Sequence, residues 1–261
     1  MGEISLPRVL IVSIPKGGTH LLMQAVLGIP GMTQTRKNVF KPSTNPILPG
    51  QMGVMHLPHS RQIERFLKDN QVKVLFISRD PRDIAVSMMH FIANAFPSHV
   101  LYPAFQQFLV TKQTRLSAII NGVKFNTDIV DTVLANSLHV ASGFSEFPNI
   151  FESCSPYLPW CKARNVCHVT FEELAQPSDR RTKALGRIVD FLLDDPSSLQ
   201  MPKPVMVAKM EQNINPAVSP TFRAGRVGDW KLEFEPQHKA DFKRIAGDML
   251  IDLGYEHDLS W

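Results

Sequence analysis

Arg8-Val9-Leu10-Ile11-Val12-Ser13-Ile14-Pro15-Lys16-Gly17-Gly18-Thr19-His20 is the stretch that decides the fold. Its first seven residues form a short apolar run rich in β-branched side chains, the pattern of a strand buried in a parallel sheet. Pro15-Lys16-Gly17-Gly18 interrupts the run, and Thr19 to Leu27 reads as a helix. A strand, a glycine loop and a helix in that order leave backbone N–H groups at a helix N-terminus. The helix dipole adds positive potential there, so the turn is a ready anion site. Lys16 supplies a point charge and Thr19 a hydroxyl. The order is not that of the Walker pattern G-x-x-x-x-G-K-[ST]: the lysine precedes the glycines, and no Lys-Ser/Thr pair follows to hold magnesium. The loop therefore suits phosphate but not Mg-ATP, although a plain β-to-α turn with a solvated lysine also fits the segment taken alone.

Outward from this unit the pattern repeats. Val72 to Ser78 and Asn165 to Thr170 read as further buried strands. Helical spacing covers Ser60 to Asn70, Asp83 to Ala95, Asp179 to Leu193 and Gln237 to Leu253, the last stopped by Gly254. Tyr102 to Glu146 reads as mostly helical, whereas Asn38 to Gly50 and Met201 to Gly228 read as loop. Strands alternating with helices predict an α/β fold, a three-layer α/β/α arrangement around a central parallel sheet of the P-loop nucleotide-binding kind. No repeat or linker divides the 261 residues, which predicts one domain over 1–261.

Composition narrows the function. Hydrophobic residues make up 44% and charged residues 20%, an ordinary globular balance, with a formal net charge of +4 and a pI near 9.0. That mild basicity suits an anionic ligand, but no Lys/Arg block of nucleic-acid type is present. Cys154, Cys161 and Cys167 form no C-x-x-C pair, so neither zinc nor a redox motif is indicated, and reduced thiols in a cytosol are expected. No stretch approaches the ~20 apolar residues of a membrane span. The first ten residues lack a signal-peptide pattern, and Leu6 stands where a myristoylation motif needs a hydroxyl. A cytoplasmic protein without membrane or nucleic-acid partners follows as an expectation.

Two more segments carry charge at suggestive places. In Phe76-Ile77-Ser78-Arg79-Asp80-Pro81-Arg82-Asp83, Arg79 ends a strand, where open parallel sheets bind ligands and where a guanidinium can fork onto phosphate. Ser87 follows two helical turns after Asp80. Arg82 reads as a surface ion-pair partner, and Asp83 as a helix-start residue or a partner of the arginine. In Thr221-Phe222-Arg223-Ala224-Gly225-Arg226-Val227-Gly228-Asp229-Trp230-Lys231, two arginines flank a glycine in a segment without apolar periodicity. It reads as a solvated basic loop or as a wrap for an anion.

Together these segments resemble the sulfotransferase family that uses 3′-phosphoadenosine 5′-phosphosulfate (PAPS). The family's first loop usually reads P-K-S/T-G-T-T, matched here by Pro15, Lys16, Gly18 and Thr19. Arg79 and Ser87 stand where the family holds the 3′-phosphate. The R-K-G-x-x-G-D-W-K loop is matched by Arg223, Gly225, Gly228, Asp229, Trp230 and Lys231. Phe171-Glu172-Glu173-Leu174 resembles a recurring family segment, and Met55-His56-Leu57-Pro58 resembles the H-L-P segment carrying the general base in cytosolic members. The likeness spans about Leu10 to Phe234.

The resemblance implies that Lys16, Gly17, Gly18, Thr19 and His20 hold the 5′-phosphosulfate. It gives Arg79, Ser87, Arg223, Ala224 and Gly225 to the rest of the cofactor, with PAP as product. It implies His56 as base, a role that suits a neutral imidazole near pH 7, and Lys16 as the cation stabilising the leaving phosphate. His59, His20 and His90 are weaker candidates for the base. No residue set calls for a metal. The acceptor implied is a small molecule, with the Phe-, Met- and Leu-rich stretch Phe91 to Phe151 as one candidate lining and helix core as the other reading.

The sequence departs from the family at Gly17, His20, Leu21, Val54 and Ala224, where a hydroxyl, a threonine, a tryptophan, a lysine and a lysine are common. The dimer motif K-x-x-x-T-V-x-x-x-E keeps only Lys231, so no oligomeric state is carried over. A non-catalytic PAP or PAPS binder, and a P-loop kinase, remain the alternatives.

Overall fold

The computed structural model describes residues 6–35, 47–124, 146–193, 201–218 and 225–261. In chain order the elements are β1 (Arg8–Ser13), α1 (Thr19–Leu27), β2 (Thr33–Gln34), β3 (Gln51–Met55), α2 (Arg61–Asp69), β4 (Val72–Ser78), α3 (Pro81–Ala95), α4 (Tyr102–Gln107), α5 (Lys112–Asn121), β5 (Val123–Lys124), β6 (Glu146–Phe147), α6 (Ile150–Cys154), a 3₁₀ turn (Ser155–Lys162), β7 (Val166–Thr170), α7 (Phe171–Leu174), α8 (Asp179–Leu192), α9 (Lys203–Gln212), a 3₁₀ turn (Pro216–Val218), α10 (Trp230–Glu233) and α11 (Pro236–Asp252). They group into two compact units, 1–79 with 156–227 and 80–155 with 228–261.

The first unit holds a parallel five-stranded sheet in the order β2-β3-β1-β4-β7. Alternation along the strands gives it two apolar faces. Val9, Ile11, Met52, Leu75, Ile77 and Val169 form one cluster with Leu22 and Val26 of α1, Leu185 and Ile188 of α8, and Met206 and Met210 of α9. Leu10, Val12, Val74 and Phe76 are buried on the other face, where α2 packs against β4. Helices flanking a central parallel sheet are thus the arrangement the sequence predicts. Lys73 Nζ donates to the carbonyls of Phe191 (2.9 Å) and Leu192 (3.1 Å), closing the C-terminal end of α8.

The second unit is built from α3 to α6, α10 and α11, with β5 and β6 paired antiparallel. Asp80 caps α3 through the Arg82 N–H (2.9 Å), and Pro81 occupies the first turn, where its missing N–H is harmless. Arg82 is not the surface ion-pair residue expected. It is 2% exposed, bonded to Asp80 and Glu256, and stacked at 3.9 Å over Trp230 and 4.5 Å over Trp261. A planar guanidinium satisfies both needs at once, pairing at its edge and stacking on its faces.

Two other expectations change. Met201 to Gly228 is not loop throughout: Lys203–Gln212 is helical, with Pro204 in the first turn and Met206, Val207 and Met210 buried against the sheet cluster. Tyr102 to Glu146 is helical only in α4 and α5 among its described residues, and β5 follows; residues 125–145 lie outside them.

Candidate active site

All the sheet's strands run in one direction, so their C-terminal ends gather at one edge. The chain runs from β1 out to β2, returns through β3 beside β1, and then crosses to β4 on the other side of β1, which makes the end of β1 a topological switch point. Ser13 ends β1, Met55 ends β3 with His56 next in the chain, Ser78 ends β4 with Arg79 next, and Thr170 ends β7.

The loop after β1 is held in an uncommon shape. Lys16 has φ 69° and Gly18 φ 110°. A left-handed lysine costs on the order of 1 kcal/mol, so the surrounding turn holds it there. The Gly17 N–H bonds the Ile14 carbonyl at 2.8 Å, and a Cβ on Gly17 would stand 2.8 Å from the same oxygen. The hydroxyl residue usual at this place in the family is therefore excluded by the tightness of this turn. Gly18 opens α1, and no side chain caps the helix. The first turn of α1 carries no acidic residue, so its N-terminal N–H groups suit an anion. His20 lies in the first turn. Burial first, then the positive charges of Lys16 and His56, hold its pKa below the ordinary imidazole value. His20 is a neutral donor and acceptor near pH 7, which keeps the loop compatible with a bulky anion.

His56 is exposed. Its Nδ1 lies 3.0 Å from the Ser13 carbonyl and 3.2 Å from Ser13 Oγ. A carbonyl only accepts, so Nδ1 carries a proton, and in the neutral ring the lone pair is then on Nε2. The loop bearing His56 is pinned on its far side: Trp160 Nε1 donates to the Leu57 carbonyl (2.8 Å), and the His59 N–H donates to the Pro156 carbonyl (2.8 Å). Sequence reading missed this support, because nothing in Pro156 to Trp160 signals a partner a hundred residues upstream. His59 is committed elsewhere, edge-on to Trp160 at 4.7 Å and 3.2 Å from Glu64. His90 bonds Glu233 at 3.2 Å in the second unit.

Arg79 is 7% exposed and lies 4.3 Å from the ring centre of Phe171. It donates to the carbonyls of Lys16 (3.4 Å) and Arg226 (3.1 Å), joining the first loop to the segment that follows Gly225. Gly225 is left-handed, φ 59°. Arg223 and Ala224 lie outside the described residues. Ser87 is half-buried on α3 of the second unit. There Asp83, fully buried, accepts from the N–H groups of Gly228 (2.8 Å) and Trp230 (3.0 Å). That contact, invisible in the sequence, ties the R-D-P-R-D segment to the G-x-x-G-D-W-K segment. A cavity of about 340 Å³ sits at the opposite ends of β4 and β7, lined by Val72 and Val166. Volume alone therefore does not pick out this site; chemistry at the strand ends does.

The sulfotransferase domain model matches residues 6–254. The chain belongs to the sulfotransferase family. Solved structures agree on the fold. A mouse sulfotransferase complexed with PAP is 21% identical over 95% of this chain and 86% of its own, with a TM-score of 0.61. Retinol dehydratase complexed with androsterone and inactive cofactor PAP is 15% identical over 94% and 80%, TM-score 0.56. Its complex with retinol and PAP gives the same identity and score over 94% and 81%. No curated protein matches this sulfotransferase. Among its described residues no helix is long and apolar enough to cross a membrane, and no cluster of His, Cys, Asp or Glu could hold a metal.

Proposed function

We propose that this sulfotransferase moves the sulfuryl group of PAPS to a hydroxyl or amine of a small acceptor, with His56 as base. The observation that carries the reading is the His56 ring. Its Nδ1–H is bound by the Ser13 carbonyl, and its bare Nε2 belongs to a residue at the strand-end edge that also holds the phosphate-type loop. PAP in the fold neighbours supports PAPS as donor.

In this reading the loop N–H groups, Lys16 and Thr19 hold the 5′-phosphosulfate, with Gly17 and Gly18 giving the backbone access and His20 a neutral flank. Arg79, Ser87, Arg223, Ala224 and Gly225 take the 3′-phosphate side. The acceptor oxygen attacks sulfur in line while Nε2 of His56 takes its proton. The bond from sulfur to the phosphate oxygen breaks with its electron pair left on phosphate, and Lys16 stabilises that charge. A preorganised donor of this kind is worth about 3 kcal/mol in the transition state. PAP and a sulfated acceptor are the products. A small apolar acceptor is part of the reading. The androsterone and retinol of retinol dehydratase are acceptor-sized apolar molecules of that sort. A cytosolic location is part of the reading. Burial raises the thiols of Cys154 to about 12 and of Cys161 and Cys167 to about 11, so they persist as unreactive thiols.

Transfer from labelled PAPS to a panel of phenols, alcohols and amines tests the reading, together with His56→Ala. Turnover of an alcohol should fall by roughly 10²–10⁴ in the variant while PAP binding stays near wild type. An alanine variant as fast as wild type means the base lies elsewhere. Wild type that binds PAP and transfers nothing makes the chain a binding protein, an outcome that the changes at Gly17, His20 and Val54 make worth measuring.

A further inference from the structure

Ser13 joins the base to the donor loop. The parallel register that pairs Ile11 with Val54 and Val12 with Met55 carries on by one residue and sets Ser13 beside His56. The side chain of Ser13 is buried, 0% exposed. Its Oγ lies 3.2 Å from His56 Nδ1 and 2.5 Å from Thr19 Oγ1, and its own carbonyl lies 3.0 Å from the same Nδ1.

The carbonyl fixes the direction of this chain. Nδ1 must be the donor, so Ser13 Oγ accepts from the imidazole. Its own proton is then available, and Thr19 Oγ1 is within reach to accept it. Thr19 keeps a proton to offer beyond, at the N-terminus of α1, where the phosphate-type loop opens. The polarity runs from His56 Nδ1–H to Ser13 Oγ–H to Thr19 Oγ1–H.

We infer that Ser13 is a positioning residue: it holds His56 in the tautomer with Nε2 bare, and it couples proton uptake by His56 to charge on the leaving phosphate. The inference rests on the reading of His56 as base. When Nε2 takes the acceptor proton, the ring becomes an imidazolium, and Nδ1–H becomes a stronger donor. Each hydroxyl down the chain is polarised in turn. The last one strengthens toward a phosphate oxygen as the bond from sulfur to phosphate breaks and its electron pair stays on that oxygen. Positive charge forming at the base and negative charge forming at the leaving group are thereby linked through two hydroxyls. His20 on α1 lies close enough to feel the charges of both Lys16 and His56, and His59 is turned to Glu64. None of these passes through Ser13, so a change at Ser13 isolates the chain.

Ser13→Ala removes one buried atom, and Ser13→Thr restores the hydroxyl. Ser13→Ala should lower kcat for an alcohol acceptor about five- to tenfold, the worth of one ordinary hydrogen bond. KM for PAPS should stay within about twofold, because the carbonyl, Lys16 and loop N–H groups remain. A phenol of low pKa should lose less, since it needs less from the base. Ser13→Thr should regain most of kcat. Nitrogen-15 NMR of the wild-type protein without ligand should show His56 Nδ1 protonated and Nε2 bare. A proton on Nε2, a loss confined to KM, equal losses for alcohol and phenol, or no recovery in Ser13→Thr would each overturn the inference. Failure of the underlying reading shows separately, as an undiminished His56→Ala enzyme or a wild type without transfer, and takes the coupling with it.

Discussion

Arg79 illustrates how one side chain can serve two ligands of different kinds. Its guanidinium holds two loop carbonyls and stacks on Phe171, so removing it loosens the site for any adenosine-type anion. If it also receives the 3′-phosphate, a second loss appears only for ligands that carry that group. Arg79→Ala should therefore weaken PAP binding more than binding of adenosine 5′-phosphosulfate, which lacks the 3′-phosphate. A charge-assisted bond is worth about 1.5–3 kcal/mol, so the extra loss should be roughly ten- to hundredfold. Calorimetry with both ligands reads the difference, and equal losses would leave Arg79 a purely structural residue. Placement of this sort was legible in the sequence: Lys16 and Gly18 lie in the loop after β1, Thr19 opens α1, and His56 and Arg79 directly follow β3 and β4. Contacts were not. Ser13 with His56, and Asp83 with Gly228 and Trp230, join residues far apart in the chain, and only sheet register or tertiary packing brings them together.

At the scale of elements, legibility followed burial. β1 and β4 are apolar runs because both their faces are covered, and such runs announce themselves; β7 shows the alternation of an edge strand. β3, Gln51-Met52-Gly53-Val54-Met55, carries a glycine and only one β-branched residue; pairing with β1 makes it a strand. α9 was hidden by its prolines, which punctuate a loop in sequence but occupy the helix start in the fold. α10 is the case where an element depends on one distant carboxylate. Asp83, at the third position of α3, accepts the N–H groups that precede and open that four-residue helix, too short to hold itself. Asp83→Asn keeps the shape but turns an amide NH₂ toward a buried N–H. It should cost about 1–3 kcal/mol, the penalty of a buried donor left unsatisfied. Thermal unfolding of the variant should start several degrees lower, and near-UV signal from Trp230 should weaken first. An unchanged melting temperature would show that the loop before Trp230 is held by other contacts.

Across the whole molecule, acid sensitivity is written into histidines that fold as neutral rings. In the first unit burial holds His20, in the first turn of α1, and His168, midway along β7, below the ordinary imidazole value. In the second unit burial takes His99 down to about 4, and its Nδ1 accepts the Leu101 N–H at 3.1 Å, a bond that a proton on that nitrogen would abolish. An unfolded chain releases these rings to their ordinary value of about 6.5. Above that pH neither state binds the proton, and the stability of the neutral arrangement is fully present. Below it the unfolded state gains protons that the folded state refuses, so stability falls with falling pH. For His99 the loss runs from about pH 6.5 to about 4 and then levels, because the folded ring is protonated as well. Urea unfolding between pH 7.5 and 4 should show this decline in wild type. His99→Asn should flatten part of it, since an asparagine oxygen two residues before Leu101 can accept the same N–H without titrating. At pH 7.5 the two proteins should differ little; toward pH 4.5 the variant should be the more stable. Parallel pH curves for the two proteins would mean that the acid response belongs to other groups, with His20 and His168 the next to replace.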